Sequence, residues 1–314
     1  MTIVTSSLVA QDAVGATTEL VAIPRPPGQL VGTLLVPHGG AAVPVVLLIA
    51  GSGPTDRDGN APGFTSAHLR QLAESLAAHQ IATLRFDKRG IGGSASAAIP
   101  EVELTFDLLT DDVAAWIRFL STDRRFSRII VAGHSEGALL GLRAMRQAPA
   151  AAYVSLEGPA RSADAILHEQ MGKQMPAPLL ARADTILARL RRGVRVDSTP
   201  PELASLFRPS VQPYLMSWFR YAAQSEIASV TVPCLVVQGT HDLQVATTEA
   251  DLLLQANPRC EVARIPGMNH VLKLAPADPV GQLASYRAPD APLAPGLVGA
   301  IVSFVSANRR AGEP

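Results

Sequence analysis

The sequence predicts an α/β fold, built as a mostly parallel sheet with helices on both faces. Short continuous apolar segments, such as residues 43–51, end in glycine or in a polar residue. Between them lie segments whose apolar residues recur at helical spacing, such as residues 66–80. Continuous apolar runs are typical of strands buried on both faces, and their alternation with amphipathic helices is typical of a parallel sheet.

The predicted elements follow one another along most of the chain. Residues 17–36 form two short strands on either side of a turn rich in Pro and Gly. Further strands are predicted at 43–51, 81–87, 128–133, 151–158, 233–239 and 260–267, and helices at 66–80, 107–120, 136–147 and 295–308. The carboxyl ends of parallel strands meet at one edge of the sheet, where ligands bind.

One segment breaks this alternation. Residues 160–228 contain no buried-strand run, but hold Leu- and Arg-rich helical patterns around a Pro-punctuated middle. We interpret the segment as a helical insertion between two strands of the sheet.

Composition limits the class of partner. The 314 residues include 27 basic and 27 acidic side chains, so no electrostatic footprint for nucleic acid or a membrane surface is present. No run of 18 uncharged apolar residues occurs. The first Arg is Arg25, so the N-terminus lacks the basic region of a signal peptide. We expect a cytoplasmic protein without a membrane span.

The two cysteines, Cys234 and Cys260, both lie in apolar segments. Two cysteines cannot form a disulfide framework, and we interpret both as small core residues. No Cys/His cluster has the spacing of a zinc site, so no metal is predicted.

Ser135 is the candidate nucleophile. It stands in Gly133-His134-Ser135-Glu136-Gly137, directly between a buried strand and a helix. A serine at such a tight turn has a strained backbone, and glycines on either side avoid collisions with the neighbouring strand and helix. The helix N-terminus favours the negative charge that develops on an attacked carbonyl.

A serine hydroxyl needs a base, and His270 is the candidate. It follows a predicted strand, as does Asp242, which can hold the imidazole in the right tautomer. Glu157 also follows a strand and is the alternative acid. Asp87 is a weaker competitor, because we expect it to pair with neighbouring Arg or Lys side chains. His68 is expected to be solvated on its helix.

Two backbone N–H groups are expected to form the oxyanion hole. One is that of Glu136, and the other belongs to Ser52 or Gly53 in the loop of residues 51–60. In the same loop, Asp56 and Arg57 either line the pocket or form a local salt-bridged loop.

Five motifs, "GSGPTDRDGN", "RFDKRGIGGS", "GHSEG", "GTHD" and "PGMNH", occur in the order and spacing of one superfamily. Over about residues 20–310 the chain resembles serine hydrolases of the α/β-hydrolase superfamily, in which nucleophile, acid and base follow in this order. It is most similar to bacterial esterases and serine-aminopeptidase-like hydrolases that share the Gly-Ser-Gly-Pro-x-Asp-Arg-Asp-Gly oxyanion loop.

The resemblance implies an eight-stranded sheet, no cofactor and a helical cap. The core would be residues 17–159 and 229–310, and the cap residues 160–228. It also assigns Ser135 as nucleophile, His270 as base and Asp242 as acid.

The function expected from these motifs is hydrolysis of small, short-chain acyl esters through an acyl-enzyme. Aromatic residues of the cap, among them Trp218 and Phe219, either wall an acyl pocket or only pack the cap onto the core. A peptidase or amidase, a thioesterase or lactonase, and a non-catalytic binding protein are the alternatives. The sequence leaves the oligomeric state open.

Overall fold

The computed structural model describes residues 12–13, 15–39 and 41–308. The sequence predicts no signal peptide at the N-terminus, and most of that N-terminal segment lies outside the described residues. All strands form one sheet in the order β1-β2-β3-β5-β4-β6-β7-β8-β9. The strands are β1 Asp12–Ala13, β2 Ala16–Arg25, β3 Gly28–Pro37, β4 Val43–Ile49, β5 Ala82–Phe86, β6 Phe126–His134, β7 Ala152–Leu156, β8 Cys234–Gly239 and β9 Glu261–Ile265.

The sheet confirms the predicted eight-stranded, mostly parallel arrangement. The strands β5, β4, β6, β7, β8 and β9 pair in parallel, while β2 and β3 pair antiparallel at one side. The two-residue strand β1 adds a short ninth strand, which pairs antiparallel with β2.

Eleven α-helices occur in the described ranges. Two of them, at residues 248–256 and 279–285, were not predicted. None of the helices in these ranges is long and apolar enough to span a membrane. The helices are α1 His68–Ala77, α2 Phe106–Ser121, α3 Glu136–Met145, α4 Ala163–Gly172, α5 Ala177–Arg191, α6 Ala204–Phe207, α7 Gln212–Trp218, α8 Ala223–Ile227, α9 Thr248–Ala256, α10 Pro279–Ser285 and α11 Leu297–Ala307.

Helices cover both faces of the sheet, as predicted. Alternate residues of β4 enter two different apolar clusters, because successive side chains of a strand point to opposite faces. Leu47 packs in the cluster that contains Trp116 of α2, and Leu48 in the cluster that contains Leu72 of α1 and Phe304 of α11. Burying each such side chain contributes roughly 1.5–3 kcal/mol.

The helices α4 to α8 all lie between β7 and β8 in the chain. Those from α4 to α7 share an apolar cluster of their own, which includes Ile186, Leu187, Phe207 and Phe219. Ala223 and Ile227 of α8 instead pack in the cluster of the main sheet that contains Trp116. No strand is assigned in this part of the chain, and all of it lies within the described residues. The division into a core and a cap stays a prediction.

Cys234 and Cys260 form a disulfide bond, which corrects their interpretation as unbonded core residues. Both are buried, as expected. Cys234 opens β8, and Cys260 directly precedes β9. Leu235 pairs with Glu261 in the parallel register, so the two cysteines stand side by side at the start of adjacent strands. Strand register is a tertiary property, and the spacing of the two residues in the sequence does not reveal it.

Candidate active site

Ser135 lies at the turn between β6 and α3 in a strained backbone conformation. Its φ is 54° and its ψ is −121°, a region that costs a residue with a side chain roughly 1–3 kcal/mol. A Cβ atom at Gly133 would lie 2.1 Å from the carbonyl oxygen of Gly137, and one at Gly137 would lie 2.4 Å from that of Ile49. Only glycine fits at both positions, so the sequence permits the tight turn that projects Ser135 from the sheet edge.

Asp242 and His270 follow the adjacent strands β8 and β9. His270 Nδ1 donates a hydrogen bond of 2.7 Å to Asp242 Oδ2, and both side chains are buried. The other carboxylate oxygen accepts from the backbone N–H groups of Gln244 and Val245, at 2.7 and 2.9 Å. Burial raises the pKa of Asp242, but the charge and hydrogen bond of His270, with hydrogen bonds from Glu157 and the Val245 N–H, outweigh it and hold the pKa below its usual value. The ionised carboxylate therefore fixes the orientation of the imidazole.

Ser135 stands between two cavities. It shares the smaller one, of about 210 Å³, with His270, and Ser52 also lines this space. The larger cavity, of about 480 Å³, is lined by Ser135, Ser52, Gly53 and side chains of α4, α6 and α7. The serine hydroxyl can thus contact a ligand that extends into both spaces.

Glu157, the alternative acid, is buried at the end of β7. Its Oε1 accepts the backbone N–H of Gly239 at 2.6 Å, and its Oε2 accepts from the Gln238 amide. Burial, together with the charge of Asp242 and a hydrogen bond to it, raises the pKa of Glu157 well above its usual value. Glu157 therefore supports Asp242 as a neutral acid, while Asp242 is the carboxylate that contacts His270.

His134 braces the backbone of His270. The carbonyl oxygen of His270 can only accept, so His134 Nε2 donates to it, at 2.7 Å. Burial and the neighbouring His270 lower the pKa of His134 to about 3, so its imidazole stays neutral.

His68 corrects a prediction, because it is buried rather than solvated. Its ring packs against His134, with centroids 4.7 Å apart, and its Nδ1 bonds to Ser66 Oγ at 2.8 Å. Burial lowers the pKa of His68 well below its usual value. His68 is the first residue of α1. The helical spacing of apolar residues predicts which face of the later turns is buried, but it does not predict the burial of this first residue.

Asp56 and Arg57 lie outside both cavities at Ser135, which corrects the pocket role considered for them. The carboxylate of Asp56 accepts three hydrogen bonds within its own loop, from Asp58 N–H and from the backbone and side chain of Asn60. Arg57 pairs with Asp87 at 2.8 Å. The loop is therefore held by hydrogen bonds within it and by an ion pair to Asp87, which follows β5 and pairs with Arg57 instead of its neighbours in sequence.

A buried polar network beneath Ser135 was not predicted. Lys88 Nζ donates to the carbonyl oxygen of Gly51 at 2.5 Å and lies 3.4 Å from Glu136 Oε2. The Tyr214 hydroxyl donates to Glu136 Oε1. Burial and the Glu136 charge raise the pKa of Tyr214 well above its usual value, so this hydroxyl remains a donor. The signals in the sequence are a lysine at a strand end and an acidic residue next to Ser135.

The larger cavity is mainly apolar, with Trp218 among its lining residues. Phe219, the next residue, is buried among the helices α4 to α7 and does not line it, which corrects its prediction as a pocket residue. Successive helical residues point about 100° apart, so only one of the two faces the cavity. The apolar side chains that line the cavity are Pro54, Leu139, Pro159, Ala163, Ile166, Leu167, Leu206, Val211, Leu215, Trp218 and Val245.

Comparison with known proteins gives sequence and structural relatives. A curated relative, Esterase EstD of Thermotoga maritima, is 26% identical over 250 residues, which are 77% of this chain; the chain spans 58% of that relative's length. The solved structure of Est1E from Butyrivibrio proteoclasticus is 17% identical with a TM-score of 0.57, and the match covers 92% of this chain and 98% of that one. Proline iminopeptidase from Mycobacterium smegmatis is 18% identical with a TM-score of 0.60, and covers the same shares.

The structural likenesses, at such low identity, establish the fold. The family model for serine aminopeptidase, S33, matches residues 63–274, which span the Ser135 turn and reach beyond His270. This is more than half of the chain. The chain therefore has the α/β-hydrolase fold and belongs to the serine aminopeptidase S33 family of hydrolases.

Proposed function

We propose that this protein is a serine hydrolase that cleaves short-chain carboxylic esters. The observation that carries the proposal is the arrangement at the sheet edge. Ser135, on a strained turn, shares a cavity with His270, whose other ring nitrogen is held by Asp242 at 2.7 Å. This arrangement suits a serine nucleophile, a histidine base and an orienting acid.

In the proposed mechanism, His270 Nε2 accepts the Ser135 proton as the serine oxygen attacks the acyl carbonyl. The tetrahedral intermediate collapses, the ester C–O bond breaks, and the alcohol leaves with the proton from His270. Water then attacks the acyl-enzyme by the same steps and releases the carboxylic acid and free Ser135. Asp242 stabilises the imidazolium that forms twice in the cycle.

Backbone N–H groups would stabilise the oxyanion. The N–H of Glu136 is the first of α3, where no acceptor exists within the helix and the helix dipole favours negative charge. The second donor would be Ser52 or Gly53, both of which border the larger cavity. Donors of this type are worth about 10²–10³-fold in kcat each.

The larger cavity is the proposed acyl site, with α4, α6 and α7 of the predicted cap as its wall. Its apolar lining suits a hydrocarbon acyl group. The smaller cavity, next to His270, would take the leaving alcohol.

An ester is favoured over a peptide with a free amino terminus. Glu136 is the carboxylate that borders the larger cavity, and both of its oxygens already have partners, Tyr214 and Lys88. Lys88 already offsets its charge, which weakens its attraction for a substrate ammonium group. Thioesters and lactones would use the same acyl-transfer geometry. The curated relative is itself named an esterase.

A cytoplasmic location is part of the proposal. Disulfides persist mainly in oxidising compartments, so the buried Cys234–Cys260 bond would be an exception among cytoplasmic proteins.

The test is turnover of p-nitrophenyl esters from acetate to decanoate, beside the p-nitroanilides of the same acids. We expect the shorter esters to be hydrolysed, and the anilides to react at least about 100-fold more slowly because the amine is a poorer leaving group. Labelling of Ser135 by a fluorophosphonate is measured in parallel. If no ester is turned over, the esterase proposal fails; faster turnover of the anilides would favour an amidase.

Trp218 is expected to limit acyl length. Trp218→Ala enlarges the larger cavity, so the optimum of the ester series should move to longer chains by about two or more carbons, since each buried CH₂ contributes about 0.8 kcal/mol. Phe219→Ala is the matched control: it removes a buried ring next in sequence but outside the cavity. It should lower thermal stability and leave the chain-length profile unchanged. An identical chain-length profile in both variants would show that Trp218 does not line the acyl site.

A further inference from the structure

We propose that Lys88 is a positioning residue that holds together the two backbone segments of the oxyanion hole. The inference rests on the proposed function and deepens it. It also selects Ser52 over Gly53 as the second donor.

Lys88 contacts both segments at once. It follows β5, its side chain is 7% exposed, and its ammonium group donates to the carbonyl oxygen of Gly51 at 2.5 Å. Gly51 directly precedes Ser52 in the loop after β4. The same ammonium group lies 3.4 Å from the carboxylate of Glu136, which directly follows Ser135. One cation thus joins the residue before one proposed donor to the residue that carries the other.

The bond to Gly51 fixes the direction of the Ser52 N–H. A peptide unit is planar and trans, so the C=O of Gly51 and the N–H of Ser52 point in opposite directions. An anchored carbonyl therefore anchors the amide. The peptide also lies against the Ser135 turn, because a Cβ atom at Gly51 would be 3.3 Å from the Cβ of Ser135.

Gly53 is held in a different way. Its N–H belongs to the peptide that begins with the Ser52 carbonyl, and this carbonyl accepts from the exposed Thr55 hydroxyl at 2.8 Å. That anchor lies within the loop itself and makes no link to the Ser135 turn. The buried anchor is on the Ser52 amide, and preorganised donors are the ones that stabilise an oxyanion.

The charge balance also favours this role. A buried ammonium group is costly unless its partners are close and well placed. Glu136 supplies the opposite charge, and Tyr214 from α7 occupies the second carboxylate oxygen. A methionine could fill the same volume, so the lysine is explained by the donor that it presents to Gly51.

The test measures transition-state stabilisation in Lys88→Met. With a short p-nitrophenyl ester, kcat should fall by about 10–100-fold and KM should change by less than about threefold, since only the transition state carries the oxyanion. A trifluoromethyl ketone of the same chain length, which forms a tetrahedral adduct with Ser135, should lose affinity by the same factor as kcat/KM. The plain methyl ketone should lose little.

Arg89→Met is the matched control. Arg89 is the next residue, is equally buried, and pairs with Asp112 at 2.8 Å, away from Gly51. This variant should lose stability while kcat per active site, titrated with a fluorophosphonate, stays within about threefold. An equal loss of kcat and ketone affinity in Arg89→Met would reduce the Lys88 effect to general loosening and overturn the inference.

If Lys88→Met does not fold, Lys88→Met with Glu136→Gln removes both charges and leaves neither unpaired; the same paired losses are then required. Unchanged kcat and trifluoromethyl ketone affinity in a folded variant would sink the inference and leave the ester hydrolase proposal standing. Full activity in a Ser135→Ala variant would instead remove the proposed function, and the role of Lys88 with it.

Discussion

Replacing Ser135 with alanine is expected to lower kcat/KM for short p-nitrophenyl esters by about 10⁴-fold or more. The variant keeps the turn between β6 and α3 but lacks the oxygen that forms the acyl-enzyme. The residual rate would come from the oxyanion donors and the bound geometry acting on water. Initial rates across the ester series measure the effect, and the fluorophosphonate adduct should disappear with the activity.

The matched control is Ser121→Ala, which removes an exposed hydroxyl at the end of α2. It should retain the parent rate within about twofold. Ester turnover in Ser135→Ala at more than about a tenth of the parent rate would contradict the role of Ser135 as nucleophile.

Asp242→Asn is expected to lower kcat by about 10³–10⁴-fold. Its amide group can donate to His270 Nδ1, which favours the tautomer that carries the proton on Nε2, the nitrogen that must accept from Ser135. The neutral amide also fails to stabilise the imidazolium. The variant is nearly isosteric, so a kcat loss with little change in KM or in thermal stability separates this effect from misfolding.

Glu157→Gln tests the alternative acid. The raised pKa of Glu157 keeps its carboxyl group protonated, and glutamine has nearly the shape and charge of that neutral acid. We expect kcat to remain within about tenfold of the parent. The reverse pattern, with a large loss in Glu157→Gln and a small one in Asp242→Asn, would make Glu157 the functional acid.

The placement of Ser135, Asp242 and His270 at one edge could be predicted because each follows a predicted strand. A continuous apolar run precedes Ser135 and Asp242, and a more polar segment, residues 260–265, precedes His270. Such runs become buried parallel strands, and the ends of parallel strands meet regardless of how far apart they lie in the chain. The sheet itself was predictable for the same reason. The roles of these residues stay predictions.

Contacts that depend on register and on helix rotation could not be predicted. The pairing of Cys234 with Cys260 requires the alignment of β8 with β9. Trp218 and Phe219 are adjacent aromatic residues that the sequence pattern does not distinguish, yet only Trp218 borders the larger cavity. The contact of Lys88 with Gly51 requires the loops after two different strands to meet, which no local pattern reveals.

The disulfide makes a covalent ring of the segment that carries Asp242, and its two cysteines are 26 positions apart in sequence. A closed ring reduces the conformational freedom of the unfolded chain, and a ring of this length is worth about 3–4 kcal/mol in the free energy of unfolding. The bond lies at the start of β8 and β9, while Asp242 and His270 follow their ends. Reduction of the disulfide therefore lowers the free energy of unfolding by breaking a bond at the edge of the sheet opposite Ser135. It changes no group that contacts the reacting atoms.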